Sequence, residues 1–156
     1  MVTTVGMNPD FKVVIESLIT LEHDAMAAYE AAIERLDNMS YKAQMQEFLQ
    51  DHQRHVQELM ECAPRYGITI PTGGDLKKML TTGKVMMADL LGDGAILRAM
   101  KTNEDDTVTA YERASNHQQM PDELRPIMRR AHEDELRHRA WMVATADAIG
   151  HQQSAA

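Results

Sequence analysis

Six side chains of metal-ligating type stand where apolar residues would be expected on helical seams: Glu22, His52, His55, Glu104, Glu135 and His138. Three are carboxylates and three are imidazoles. Glu135-Leu-Arg-His138 and His52-Gln-Arg-His55 each set two of them three residues apart, a spacing that projects both from one helical face. Brought together in an apolar interior, they would carry a heavy desolvation cost without compensation. One or two divalent cations would neutralise the carboxylates and use the imidazole lone pairs. A single Glu on an inferred seam is more often a surface residue slightly out of register, and a lone His-x-x-His or Glu-x-x-His is a weak signal. The combination carries the argument, because every long helix contributes near its middle.

Four helical periodicities position these residues. The first spans about 10–36 behind the start signal Asn8-Pro9-Asp10, with the seam Phe11, Ile15, Leu18, Glu22, Ala25, Tyr29, Ile33, Leu36. The second spans about 40–63, with Tyr41, Met45, Phe48, His52, His55, Leu59 and Ala63 on its seam. Only three residues separate the two, so they should form an antiparallel hairpin. The third spans about 94–117, through Leu97, Met100, Glu104, Val108, Tyr111 and Ala114. The fourth spans about 122–149, through Leu124, Met128, Ala131, Glu135, His138, Met142, Ala146 and Ile149, with Pro126 blurring its first turn. Residues 67–93 form a long crossover in which Lys77–Leu91 suits a short helix, weakened by Gly83. Residues 151–156 read as a frayed tail after Gly150. The expected architecture is a single all-α domain over 1–156. It is an antiparallel four-helix bundle with one long crossover between the second and third helices.

The two hairpins echo each other. Tyr29 follows Glu22 by seven positions, and Tyr111 follows Glu104 by the same number. His52-Gln-Arg-His55 parallels Glu135-Leu-Arg-His138, as expected for two hairpins related by a pseudo-two-fold axis around a shared site. Through these residues the chain resembles the ferritin-like superfamily, nearer the rubrerythrin-type bundles than the storage ferritins. The stretch from Ile96-Leu97 to Tyr111-Glu112 also resembles small bacterial ferritin-like domains of unassigned function.

The resemblance implies a site for two iron ions, with manganese as an alternative, that reacts with oxygen or hydrogen peroxide. Glu22 and Glu104 would be bridging or terminal carboxylates, His55 and His138 terminal ligands, and Glu135 a chelating or bridging carboxylate. The chain departs from the family at His52, where a carboxylate is usual. Three carboxylates leave two divalent ions with one uncompensated positive charge. Asp51 and His132 are therefore further candidate ligands. There is no Cys-x-x-Cys pair, so a peroxidase of this type would need an external electron donor.

Composition narrows the field. The formal net charge of −8 gives no general attraction for nucleic acid or anionic lipid. No apolar run is long enough to span a membrane. No basic segment followed by an apolar stretch opens the chain, so a signal peptide is not expected. Cys62 is the only cysteine, which excludes an internal disulfide or a Cys-rich metal centre and suits a cytoplasmic protein. The 13 methionines read as flexible core filler. Tyr29 and Tyr111 read as core aromatics whose hydroxyls bond neighbouring carboxylates.

Two classes of function follow. One is a di-iron ferroxidase- or peroxidase-like oxidoreductase, paired as a homodimer and active in oxidative stress. The other is a non-catalytic bundle, either holding zinc or manganese structurally or serving without metal as a stress-related scaffold or oligomerisation module.

Overall fold

Side-chain caps set the first helical hairpin. The Asp10 carboxylate accepts from the Lys12 amide at 2.9 Å and opens α1 (Phe11–Arg35). The Asn38 side chain accepts from the amides of Ser40 and Tyr41 and opens α2 (Met39–Cys62). Asp93 then reaches back to accept from the amides of Asp37 (2.8 Å) and Asn38 (3.0 Å), fastening the turn between α1 and α2 to the start of α4 (Asp93–Ser115). A computed structural model describes residues 2–155, the side chains of residues 73–76, 79 and 80 excepted. Among these residues it is all-helical, with five α-helices, one 3-10 turn (Ala63–Tyr66) and no strand. The remaining helices are α3 (Gly73–Met87) and α5 (Arg125–Ala155). None of the helices described is long and apolar enough to cross a membrane.

The core lies in two apolar layers. One holds Ile15, Leu18, Leu59, Cys62, Tyr111, Ala114, Leu124 and Met128. The other holds Tyr29, Ala32, Met45, Phe48, Leu97, Met100, Met142 and Ala146. Helix direction follows from this membership. Helices α1 and α5 run from the first layer to the second, while α2 and α4 run from the second to the first. The chain leaves α2 in the first layer and enters α4 in the second, so the connection between them travels the length of the molecule.

That connection is more ordered than its composition suggests. The expected short helix at Lys77–Leu91 forms instead at Gly73–Met87 and packs along α1. Gly83, which weakened the expectation, is what permits the contact. A Cβ there would lie 2.8 Å from the Ala27 backbone carbon and oxygen. Gly67 closes the 3-10 turn at φ +66, a left-handed conformation that glycine adopts without strain.

Both ends of α5 and one seam position on α4 differ from the expectation. Helix α5 begins at Arg125 rather than near 122, because the Leu124 amide bonds the Pro121 carbonyl in a preceding turn. Pro126 then sits in the first helical turn, where its missing N–H costs nothing. Gly150 does not end the helix, which continues through the expected tail to Ala155, and Ala156 lies outside the described residues. Its φ is not positive, and Ser154 Oγ bonds its carbonyl at 3.0 Å in the next turn. On α4 the fully buried residue is Thr107, while Val108, expected on the seam, is only half-buried.

Gly83→Ala tests the α1–α3 contact. Displacing the Ala27 backbone should cost about 1–3 kcal/mol, against about 0.5–1 kcal/mol gained by replacing a helical glycine. Denaturant unfolding should show a net loss of ~1 kcal/mol or more. A gain in stability would mean that the contact is loose.

Candidate metal centre

Between the two apolar layers lies a polar belt, one turn deep, to which α1, α2, α4 and α5 contribute. Glu22, His52, Glu104, Glu135 and His138 are fully buried, and His55 is 2% exposed. The residues thus meet as their seams implied. His52 Nδ1 lies 2.6 Å from Glu22 Oε2 and 3.5 Å from Glu135 Oε1. His52 Nε2 lies 3.5 Å from Glu104 Oε1. His55 Nδ1 lies 3.0 Å from Glu22 Oε1 and 3.2 Å from Glu135 Oε1. His138 Nδ1 lies 3.5 Å from Glu135 Oε2 and 3.8 Å from Glu104 Oε2. The tyrosines cross between hairpins: Tyr29 donates to Glu104, and Tyr111 donates to Glu22.

A second ring surrounds the first and repeats its two-fold pattern. His138 donates from Nε2 to Asp51 Oδ2 at 2.8 Å, and His55 donates from Nε2 to Asp134 Oδ2 at 3.0 Å. Each aspartate also takes an arginine from the opposite helix, Arg137 on Asp51 and Arg54 on Asp134. These bonds fix the ring orientation, so Nδ1 of both histidines faces inward. Asp51, a candidate ligand, is thereby placed outside the belt as a partner of His138. His132 is half-buried and joins neither group of clustered ligands.

Asp134 and Thr107 were not anticipated. A longer comparison of the two hairpins would have found Asp134, since Asp51-His-Gln-Arg-His55 matches Asp134-Glu-Leu-Arg-His138 in Asp, Arg and the last His. Thr107 Oγ1 lies 3.0 Å from Glu135 Oε2 and 3.2 Å from Glu104 Oε2. Nothing in the seam pattern marks it, because Val108 next to it is the more apolar residue.

Burial alone would raise the Glu22 carboxyl, but the charge of His52 and hydrogen bonds from His52 and His55 hold it down to about 2. Burial likewise opposes charge on His55, yet hydrogen bonds to Asp134 and Glu22 and the nearby Glu135 carboxylate push it up to about 11. His138 is pushed up to about 9 against its burial by the Glu104 and Glu135 carboxylates that face its Nδ1. Glu135 moves the other way from Glu22: burial raises it more than the nearby His52 charge lowers it. Metal-free, the belt is therefore a self-neutralising cluster of imidazolium and carboxylate.

The cluster is incompletely satisfied. His52 Nε2, Glu135 Oε1 and His138 Nδ1 are buried and have no hydrogen-bond partner. All three belong to sets whose ligand atoms lie within 4.8 Å of one another. One set is Glu22, His52, His55 and Glu135; the other is His52, Glu104, Glu135 and His138. Once the imidazolium protons leave, these buried and convergent carboxylate oxygens and imidazole nitrogens are a donor set suited to a borderline divalent cation. These buried groups could hold a metal ion.

The electrostatics predict how the metal-free protein responds to pH. Glu22 is lowered, so the stability it contributes is present above its ordinary value of 4.5 and lost as pH falls toward about 2. His138 and His55 are raised, so their contribution is present below the ordinary 6.5 and lost as pH rises through about 9 and about 11. Unfolding free energy of chelator-treated protein should therefore peak between about pH 4.5 and 6.5. Stability that holds level from pH 6.5 to 10 would contradict the imidazolium–carboxylate pairing.

Comparison with known proteins adds one match. A family model described as "Domain of unknown function (DUF2383)" matches residues 12–119, more than two thirds of the chain. The matched stretch takes in Glu22, His52, His55 and Glu104, while Glu135 and His138 lie beyond it on α5. No curated protein and no solved structure matches the chain. With four of the six belt residues inside the matched stretch, this all-helical chain belongs to the DUF2383 family.

Proposed function

We propose that this protein is a ferritin-like metalloprotein that holds two divalent ions, iron foremost, and handles Fe(II) with oxygen or hydrogen peroxide in a ferroxidase- or peroxidase-like reaction. The observation that carries the reading is the set of three buried, unpartnered donor atoms shared between two four-residue groups. The helix directions support the ferritin-like part, since two antiparallel hairpins joined by one lengthwise crossover are that arrangement. So does the contribution of a Glu from each of α1 and α4 and a paired motif from each of α2 and α5.

The residues divide by role. Glu22 and His55 would hold one ion, Glu104 and His138 the other, and Glu135 and His52 stand between them. Bound iron would supply the redox chemistry. Tyr29 and Tyr111 hold the Glu104 and Glu22 carboxylates in place by donating to them. Asp134 and Asp51 keep the proton of His55 and His138 on Nε2, leaving Nδ1 free for metal. A cleft of about 250 Å³ between α2 and α5, lined by Arg54, His55, Arg130 and Asp134, reaches His55 from the surface. Ions or peroxide would approach through it. A second reading, a zinc or manganese protein without turnover, is favoured by His52, because an imidazole in place of a fourth carboxylate suits zinc better than a pair of iron ions.

Titration of the metal-free protein with Fe(II) under anaerobic conditions should reach two ions per chain, and oxygen or peroxide should then be consumed in proportion to iron. Glu135→Ala and His55→Ala should each lose metal. Asp134→Asn should weaken binding about 10–100-fold while leaving the inner ligands intact. Zinc or manganese bound without any Fe(II) oxidation would support the second reading. Failure to bind any transition metal stoichiometrically would refute both.

A further inference from the structure

We infer that His52 is a bridging ligand, its two ring nitrogens each binding a different metal ion and setting the pair ~6 Å apart. The inference rests on the proposed two-ion site and specifies how that site is held together.

The three histidines of the belt are not alike. His55 and His138 each spend Nε2 on an aspartate outside the belt, Asp134 and Asp51, so each has one nitrogen for the interior. That is the usual environment of a terminal metal-bound imidazole. His52 has no such outer partner. Its Nδ1 faces Glu22 at 2.6 Å and Glu135 at 3.5 Å, on the side where Glu22 also meets His55. Its Nε2 faces Glu104 at 3.5 Å, on the side where Glu104 approaches His138, and has no hydrogen-bond partner. The ring thus stands between the two ligand groups with one nitrogen toward each. His52 and Glu135 are the only residues common to both groups, and they occupy equivalent places in the two hairpins.

Charge points the same way. Glu22, Glu104 and Glu135 supply three negative charges against four positive charges on two divalent ions. A ring bound through both nitrogens has given up its last N–H proton to bulk water and carries the fourth negative charge. The substitution of His for a carboxylate then leaves the site neutral. Glu135 is the weaker spacer, since Thr107 already engages its Oε2 and only Oε1 is without a partner. An imidazole bridge holds ions farther apart than the ~3.5–4 Å common in two-metal sites, because the ring and two metal–nitrogen bonds of about 2.0 Å lie between them. The ions it favours are borderline, nitrogen-seeking divalent cations such as zinc.

The test is a crystal structure of the full chain grown with two equivalents of Zn(II), read from anomalous scattering at the zinc edge, with binding stoichiometry measured by calorimetry. Two zinc sites ~6 Å apart on either side of the His52 ring are expected. His52→Glu should still bind two ions but draw them to ~3.5–4 Å. Should that variant not fold, the wild-type spacing decides alone. A wild-type pair at ~3.5–4 Å, a single zinc per chain, or an unchanged spacing in His52→Glu overturns the bridge and leaves a metal site standing. No zinc bound in solution overturns the bridge, and the metal reading falls with it only if Fe(II) and Mn(II) also fail to bind.

Discussion

The interior depends on one constraint: three carboxylates and three imidazoles are held where water does not reach. An uncompensated buried charge would cost several kcal/mol, so each group must find an opposite charge, a hydrogen bond or a cation. Without metal, the belt meets that demand by sharing protons among Glu22, His52, His55 and their neighbours. It does so imperfectly, with three atoms unpaired. A cluster that is nearly but not wholly self-satisfied is one whose unpaired donors a divalent cation could take up.

Much of the surrounding architecture serves to hold that belt open and in register. The apolar layers above and below fix the helices, and their membership fixes helix direction. The backbones of α2 and α5 come close at few points, and the space between them is filled by Phe48 against Trp141 and by Asp51, Arg54, Asp134 and Arg137. Those exposed arginines screen the aspartates from water, and the aspartates orient His55 and His138. A surface ion pair is usually worth little. Here its consequence is geometric, because it sets which nitrogen of each histidine faces the interior.

The belt was legible in the sequence because its residues break an apolar period, and a polar residue in an apolar seam is a strong local signal. The two-hairpin plan was legible for the same reason, together with the short turn at Leu36–Asn38. Other features were not. Helix α3 was obscured by Gly83, whose reason for being there is contact with Ala27, a residue far away in the chain. Thr107 was hidden because a hydroxyl on a seam looks less apolar than the valine beside it. The role of Asp51 as a partner of His138 rather than a ligand depends on α5 lying opposite α2, which no local pattern encodes. The continuation past Gly150 reflects a glycine that keeps ordinary helical geometry instead of capping.

The most direct measurement is equilibrium dialysis of metal-free protein, and of Glu135→Ala, against Fe(II), Mn(II) and Zn(II), with bound metal counted per chain. The account predicts stoichiometric binding of at least one of these ions by the wild type, reaching two per chain, and its loss in the variant. Binding that is absent, or that is unchanged when Glu135 is removed, would contradict it.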